Sequence, residues 1–298
     1  MNIKQSPPGF VNVVGPLIQK IQTRLNGLGL DAGAVDGAWG QRTINAIKGW
    51  QQGKQLQDNG IIDASVWTDL MQVPVPPLFE RALQLTGAWE GTGYSGANGN
   101  FDGQGITWGV VGFTWANGEL QGILREIKSL FPAVFTGAFG PLESTIVNVL
   151  SDSLPGQMTW ARSISINGGN NIEPQWASAF KALGNDANVQ AIENAHAQHY
   201  WTAGAALAHQ FGLQSNVGLA LCFDIAVQNT VTHKMIDEIQ QQTQGLAETD
   251  KLPIIAHVIA DNANPRFFSD VLKRKMTFVV GQGTVHGDRY DISCWGIG

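Results

Sequence analysis

Apolar residues recur at helical spacing along most of this chain. Leu17, Ile18, Ile21, Leu25 and Leu28 predict a first helix, closed by turns at Gly27, Gly29 and Gly33. A second runs from Thr43 to Gln52 with Ile44, Ile47 and Trp50 on one face. A third runs from Ala64 to Met71 with Asp63 or Ser65 as its cap. The turns Val35-Asp-Gly-Ala-Trp-Gly40 and Asn59-Gly-Ile-Ile-Asp63 are alike, so a turn-then-helix unit occurs twice. Residues 1–72 therefore read as a small three-helix domain. Val73-Pro-Val-Pro-Pro77 follows as a stiff linker with little slack, which sets the flanking domains close together.

Beyond the linker, residues 78–298 read as one larger, mostly helical domain. Periodic apolar segments recur at 78–90, 119–130, 141–151, 174–183, 186–210, 215–242, 250–260 and 263–279. The stretch 101–116, with Thr107, Val110, Val111 and Phe113, carries the one clear hairpin signal. Leu219 to Val227 is the most apolar run and predicts a buried central helix. The fold class is mainly α, with one small β-hairpin sheet.

Composition narrows the chemistry. Only 14% of residues are charged, against 43% hydrophobic, with 36 Gly and 10 Trp. Amides, hydroxyls and aromatic faces suit neutral sugars, though they also describe a merely low-charge surface. A net charge of −6 argues against nucleic acid, which is held by clustered Lys and Arg. Cys222 and Cys294 lie far apart without CxxC spacing, so no zinc site or disulfide framework is indicated, and a single bridge is left open. Met1 to Phe10 lacks the apolar core of a signal peptide. No run reaches the roughly 18 apolar residues of a transmembrane helix.

Glu90 ends the helical run that starts at Leu78, beside Trp89 and before Gly91. Asp102 follows in a glycine-flanked turn, and Thr107 opens the next strand. Each has an ordinary reading: a helix-end Glu on the surface, an Asx turn, a β-forming Thr. Together they sit where two carboxylates can face each other across a cleft, as hydrolysis of a glycosidic bond requires. Asp224 and Gln228 share one face of the apolar helix, and a carboxylate there needs a partner such as Arg274 or Arg266. His286 and Tyr290, in a C-terminal loop, are candidates for sugar contact. His196 and His199, with Glu193 and His209 nearby, prompt a metal hypothesis. Their i, i+3 spacing, with Gln between, does not fit the HExxH pattern, so helical histidines are the better reading and no metal or other cofactor is expected.

Ile21 to Gly29, Val35 to Gly40, Thr43 to Gln51 and Asp58 to Leu70 resemble the three-helix peptidoglycan-binding domain. The resemblance implies binding of bacterial murein in a shallow groove near Asp36, Trp39, Thr43 and Trp50. As plain structure, Asp36-Gly37 is a turn and Trp50 is core. Asp102-Gly-Gln-Gly-Ile-Thr-Trp-Gly-Val-Val-Gly-Phe-Thr114, then Gly118-Glu119, resembles the catalytic hairpin of the bacterial chitosanases within the lysozyme superfamily. That resemblance implies a lysozyme-like domain with Glu90 as general acid, Asp102 as base and Thr107 positioning water. It implies inversion across a gap of about 6.5–9.5 Å. Glu119 then stands as an acidic sugar contact, Gln104 stands where a charged residue is frequent, and Tyr94 joins them as a substrate contact.

The chain is thus identified as resembling a modular phage-type endolysin: a monomeric muramidase acting on peptidoglycan glycan strands without membrane insertion. It would be made in the host cytoplasm and would reach the wall, in the periplasm, after holin-type release. A true chitosanase and a non-catalytic wall-binding protein are the alternatives.

Overall fold

The computed structural model describes residues 1–4, 16–91 and 93–298, with Asn2 by its backbone alone. The segment Met1–Phe10 falls largely outside the described residues, as do positions 14 and 15 of the first domain. The helices are α1 (Pro16–Gly27), α2 (Gln41–Gly53), α3 (Ala64–Met71), α4 (Leu78–Glu90), α5 (Glu119–Leu130), α6 (Pro132–Phe139) and α7 (Glu143–Ser151). They continue as α8 (Leu154–Ser163), α9 (Pro174–Gly184), α10 (Ala187–Phe211), α11 (Asn216–Gln228), α12 (His233–Thr243), α13 (Glu248–Asp261) and α14 (Phe268–Val280). Short antiparallel strands pair as β1 (Asn2–Ile3) with β2 (Ile62–Asp63), and as β3 (Ala97–Asn98) with β4 (Thr107–Trp108) and β5 (Phe113–Thr114). Two further hairpins are β6 (Ser165–Ile166) with β7 (Asn171–Ile172), and β8 (Gln282–Val285) with β9 (Asp288–Asp291). The chain forms two compact units, Met1–Leu85 with Tyr200–Gly298, and Thr86–His199.

In the first unit, α1 to α3 bury the predicted faces: Leu17, Ile18, Ile21, Leu25, Ile44, Ile47, Trp50 and Leu70. Leu28 does not join them. It lies past the end of α1 and is 43% exposed. Asp63 caps α3, accepting the N–H groups of Ser65 and Val66 at 2.9 Å each. The repeat read from the turns extends to their anchors. Gln22 Nε2 donates to Asp36 Oδ1 and Ala38 O while its Oε1 accepts the Gly37 N–H. Gln51 Nε2 likewise donates to Asn59 Oδ1 and Ile61 O while its Oε1 accepts the Gly60 N–H. Both amides are 1% exposed, so each turn is held from inside by one glutamine.

The proline linker is tied down as well. The Trp67 indole donates to Pro74 O at 3.2 Å and Arg81 Nε to Pro76 O at 3.0 Å. Arg81, itself 5% exposed, also donates to Gly296 O at the end of the chain. Helix α11 is the buried one expected, with Leu221, Phe223, Asp224 and Ile225 fully enclosed. Gly204 of α10 must be small, because a Cβ there would stand 2.6 Å from the Phe223 Cα. The single helix expected over 215–242 is two, because Thr232 accepts the Met235 N–H and starts α12 afresh. Cys222 and Cys294 are both buried, with no disulfide between them.

In the second unit an aromatic core joins the small sheet to the helices. Trp108 packs tilted against Phe180 at 5.7 Å, while Phe180 meets Phe139 at 5.8 Å and Trp160 meets Trp176 at 5.0 Å edge to face. Val110 and Val111, expected in strands, form the β4–β5 turn instead, 2% and 5% exposed. Their apolar side chains are in the core although their backbone is not in the ladder. Helices α6 and α8 were not signalled by periodicity; each is short and begins with proline in its first turn. Pro132 to Ser151 is by length and composition apolar enough to cross a membrane, against the expectation that no run reaches that length. It is broken at Gly140 (φ 48°) into α6 and α7, which turn Phe135, Phe139, Ile146 and Leu150 inward.

Candidate active site

Glu90 is the last residue of α4, half-buried, and Gly91 leaves the helix with φ 74°. One turn earlier, Gly87 lies flat against the β4–β5 turn. A Cβ there would stand 2.7 Å from Val110 O and 2.9 Å from Val110 Cγ2. The far end of the same turn is Gly112 (φ 68°), where a Cβ would lie 3.1 Å from Thr107 Cγ2 and 3.7 Å from Glu90 Oε2. Gly112 is thus the bare spot at which the candidate acid and the candidate water-positioning Thr come together. Thr107 itself is half-buried in the middle strand, opposite Asn98 and Thr114.

Asp102 rides on the loop between β3 and β4, and that loop is tightly framed. Gly99 faces Asn171 O, Gly169 O and Ser165 Oγ so closely that a Cβ would come within 2.8 Å of each. The Asn100 N–H donates to Ser165 Oγ at 3.0 Å, and Asn100 Oδ1 accepts the Gly105 N–H at 2.8 Å. Within this frame Asp102 Oδ1 accepts the Gln104 N–H at 3.0 Å, the Asx turn of the ordinary reading. The carboxylate is exposed at the loop tip, so the turn bond and access to a polymer coexist. Gln104 is exposed beside it.

Glu119 begins α5. Its Oε2 accepts the Thr114 N–H at 3.5 Å, and its Oε1 lies 3.6 Å from His199 Nε2. Along the same helix Glu126 meets His196 at 2.7 Å. These carboxylates are the partners of the two histidines, and among the described residues no three His, Cys, Asp or Glu side chains converge. The Tyr94 hydroxyl donates to Asn194 Oδ1 at 2.9 Å, and the residue is half-buried.

Glu193, read from the sequence only as a possible metal neighbour, is 0% exposed. Its Oε2 accepts the Val110 N–H at 2.8 Å. Burial pushes its acid up to about 9, outweighing the opposing effect of that hydrogen bond. A signal was available: Val189, Ile192, Glu193 and Ala197 share the inward-facing stripe of α10, an odd place for a carboxyl group.

Other candidates lie in the first unit. Asp224 meets Arg274 (Nε 2.9 Å, NH2 2.8 Å) and Lys275 (Nζ 2.5 Å), all three enclosed. Burial alone would raise its acid, but the two cations outweigh that and hold it below the usual carboxylate range. Lys275 also reaches Gln228 Oε1 at 2.7 Å. Arg266 is not its partner; its guanidinium lies over the Phe267 ring. Tyr290 is 3% exposed with its ring against Trp295, so it offers no face to a sugar. His286 stays exposed and pairs with Asp270 at 2.7 Å.

In the three-helix module, Thr43 (1% exposed) and Trp50 (7%) are interior and cannot touch a wall polymer. Thr43 Oγ1 donates to Ala32 O and accepts from Gln22. Asp36 is exposed but held by Gln22 and the Ala38 N–H, bonds that lower its acid. Trp39 is half-buried.

Residues 14–70 match the sequence profile of the family described as "Putative peptidoglycan binding domain". Over 72% of this chain and 98% of the other, the fold overlays a Gynuella sunshinyii GH46 chitosanase in complex with chitotetraose, at TM-score 0.51 and 15% identity. A native chitosanase from Bacillus subtilis MY002 overlays over 72% of this chain and 97% of its own, at TM-score 0.50 and 18% identity. The fold is lysozyme-like, as in the chitosanases. These likenesses reach the fold and the N-terminal module; the site rests on its own geometry.

Proposed function

We propose that the chain is a glycoside hydrolase of the bacterial cell wall, held on peptidoglycan by its N-terminal module and cutting glycan β-1,4 bonds as a muramidase. The observation that carries this reading is the meeting of Glu90 and Thr107 at Gly112, with Asp102 exposed on the framed loop of the same sheet. Glu90 protonates the glycosidic oxygen. Asp102 takes a proton from water on the opposite face of the sugar while Thr107 orients that water, and the anomeric centre inverts. The module raises the local concentration of substrate at the site. Domain limits of 1–72, 73–77 and 78–298 belong to this proposal, as does a monomer that works from the wall side like an endolysin.

Replacing Glu90 with Gln is expected to lower turnover of purified murein by roughly 10²–10⁴-fold while pull-down on the same murein is unchanged. Full activity in that variant would sink the assignment. Chitosan is the second substrate to assay, favoured by the chitotetraose-bound structure that shares this fold. Comparable rates on soluble chitosan with none on murein would move the assignment to chitosanase. No turnover on either would leave a wall-binding protein. Mass spectrometry of the released reducing ends identifies which murein bond is cut.

A further inference from the structure

The β4–β5 turn, Gly109 to Gly112, is the structural centre of the candidate site, and its anchor comes from α10. Glu193 Oε2 accepts the Val110 N–H at 2.8 Å. Gly109 is pressed so closely on the same carboxyl group that a Cβ would stand 2.6 Å from Oε2 and 3.2 Å from Cδ. On its other side the turn carries Val110 O against Gly87 of α4, one turn before Glu90. The turn closes on itself through the Gly112 N–H and Gly109 O at 3.0 Å. A shift at Val110 is therefore passed to Gly112, and from there to the gap between Thr107 and Glu90.

We propose that Glu193 is a positioning residue for the hydrolysis: its buried carboxyl group fixes the Gly109–Gly112 turn that sets Thr107 beside Glu90. This rests on the glycosidase reading of Glu90 and Thr107. The carboxyl group works in its neutral form. Its C=O oxygen takes the Val110 N–H, and its proton stays on Oε1, which has no partner among the described residues. The charged groups on the surrounding elements are engaged elsewhere. On α5, Glu126 holds His196 and Glu119 holds His199, both histidines belonging to α10; on α4, Glu90 stands against Gly112. None of them offers Glu193 a counter-charge, so ionisation would leave a bare charge in the core and release the turn.

Three full-length variants and one titration test this. Glu193→Ala removes the acceptor. Its kcat on the polymer that the wild type cleaves is expected to fall about 10²-fold, with KM little changed, the effect of a misplaced rather than a missing group. Glu193→Gln keeps a neutral C=O at the same reach. It should restore most of kcat. Glu90→Gln serves as the control for the chemistry. Independently of turnover, carbon-13 NMR of the Glu193 carboxyl should show a midpoint near 9, with the Val110 amide signal moving in step. A Glu193 that titrates near 4.5 overturns the proposal even if the alanine variant is inactive or unfolded. So does an alanine variant with wild-type kcat, or a glutamine variant as impaired as the alanine one. If instead the wild type turns over neither polymer, or Glu90→Gln is fully active, the glycosidase reading itself has failed.

Discussion

Glu193 shows how one buried acid ties stability to pH. Its native proton affinity is raised from the ordinary 4.5 to about 9, chiefly by burial. Below about 4.5 folded and unfolded chains both carry the proton and nothing is lost. As pH rises from there the unfolded chain ionises freely while the native chain must keep its proton, so stability falls until pH reaches about 9. Glu193→Gln carries no such linkage. Its thermal midpoint should match the wild type near pH 4.5 and exceed it by a growing margin towards pH 9. A margin that shrinks with pH in parallel thermal scans would contradict the buried neutral acid. Asp224 is the opposite case: two enclosed cations keep it ionised, and its contribution is lost only as pH falls through its lowered value.

At the scale of elements, the shape of the candidate site depends on where helices and turns touch without side chains. Gly87 is the clearest instance, because α4 approaches the Val110 carbonyl at a distance that excludes any Cβ. Gly87→Ala must push backbone against backbone, at a cost of about 1–3 kcal/mol. The expected result is a marked loss of kcat with unchanged murein binding, since the three-helix module lies elsewhere in the chain. Activity at the wild-type level would show that the turn does not need its present place. The paired glutamines Gln22 and Gln51 show the same economy in that module, each holding one glycine turn by three bonds.

At the scale of the whole molecule, the N-terminal module belongs to the same compact unit as residues 200–298. Strand β1 pairs with β2, and Arg81 ties Pro76 to Gly296 across the length of the sequence. Arg81→Ala leaves two carbonyls without that donor, each costing about 1–3 kcal/mol if it stays dry. The variant should unfold several degrees earlier in calorimetry, with the module and the C-terminal helices melting in one transition. Two separate transitions in the wild type would show that the module is independent after all.

Much of this was present in the sequence. Helical periodicity and the Asp63 cap located α1 to α4 and α11, because a repeating apolar face and a side-chain cap are local properties of the chain. Glu90, Asp102 and Thr107 stood out for the same reason, lying within 18 residues of one another in a glycine-rich pattern. Burial is not local. Thr43, Trp50 and Tyr290 carry polymer-binding chemistry in their side chains but spend it inside the protein, and Val110 and Val111 have strand propensity yet form a turn. Glu193 is 83 residues from Val110, and Asp224 is 50 from Arg274. Pairings over such distances are made by the packing of α10 and α14 onto other elements, and no local pattern encodes them. The sequence by itself determined which residues are candidates for the chemistry; only the tertiary structure decided which of them face solvent and which are enclosed, because burial is made by packing between distant segments.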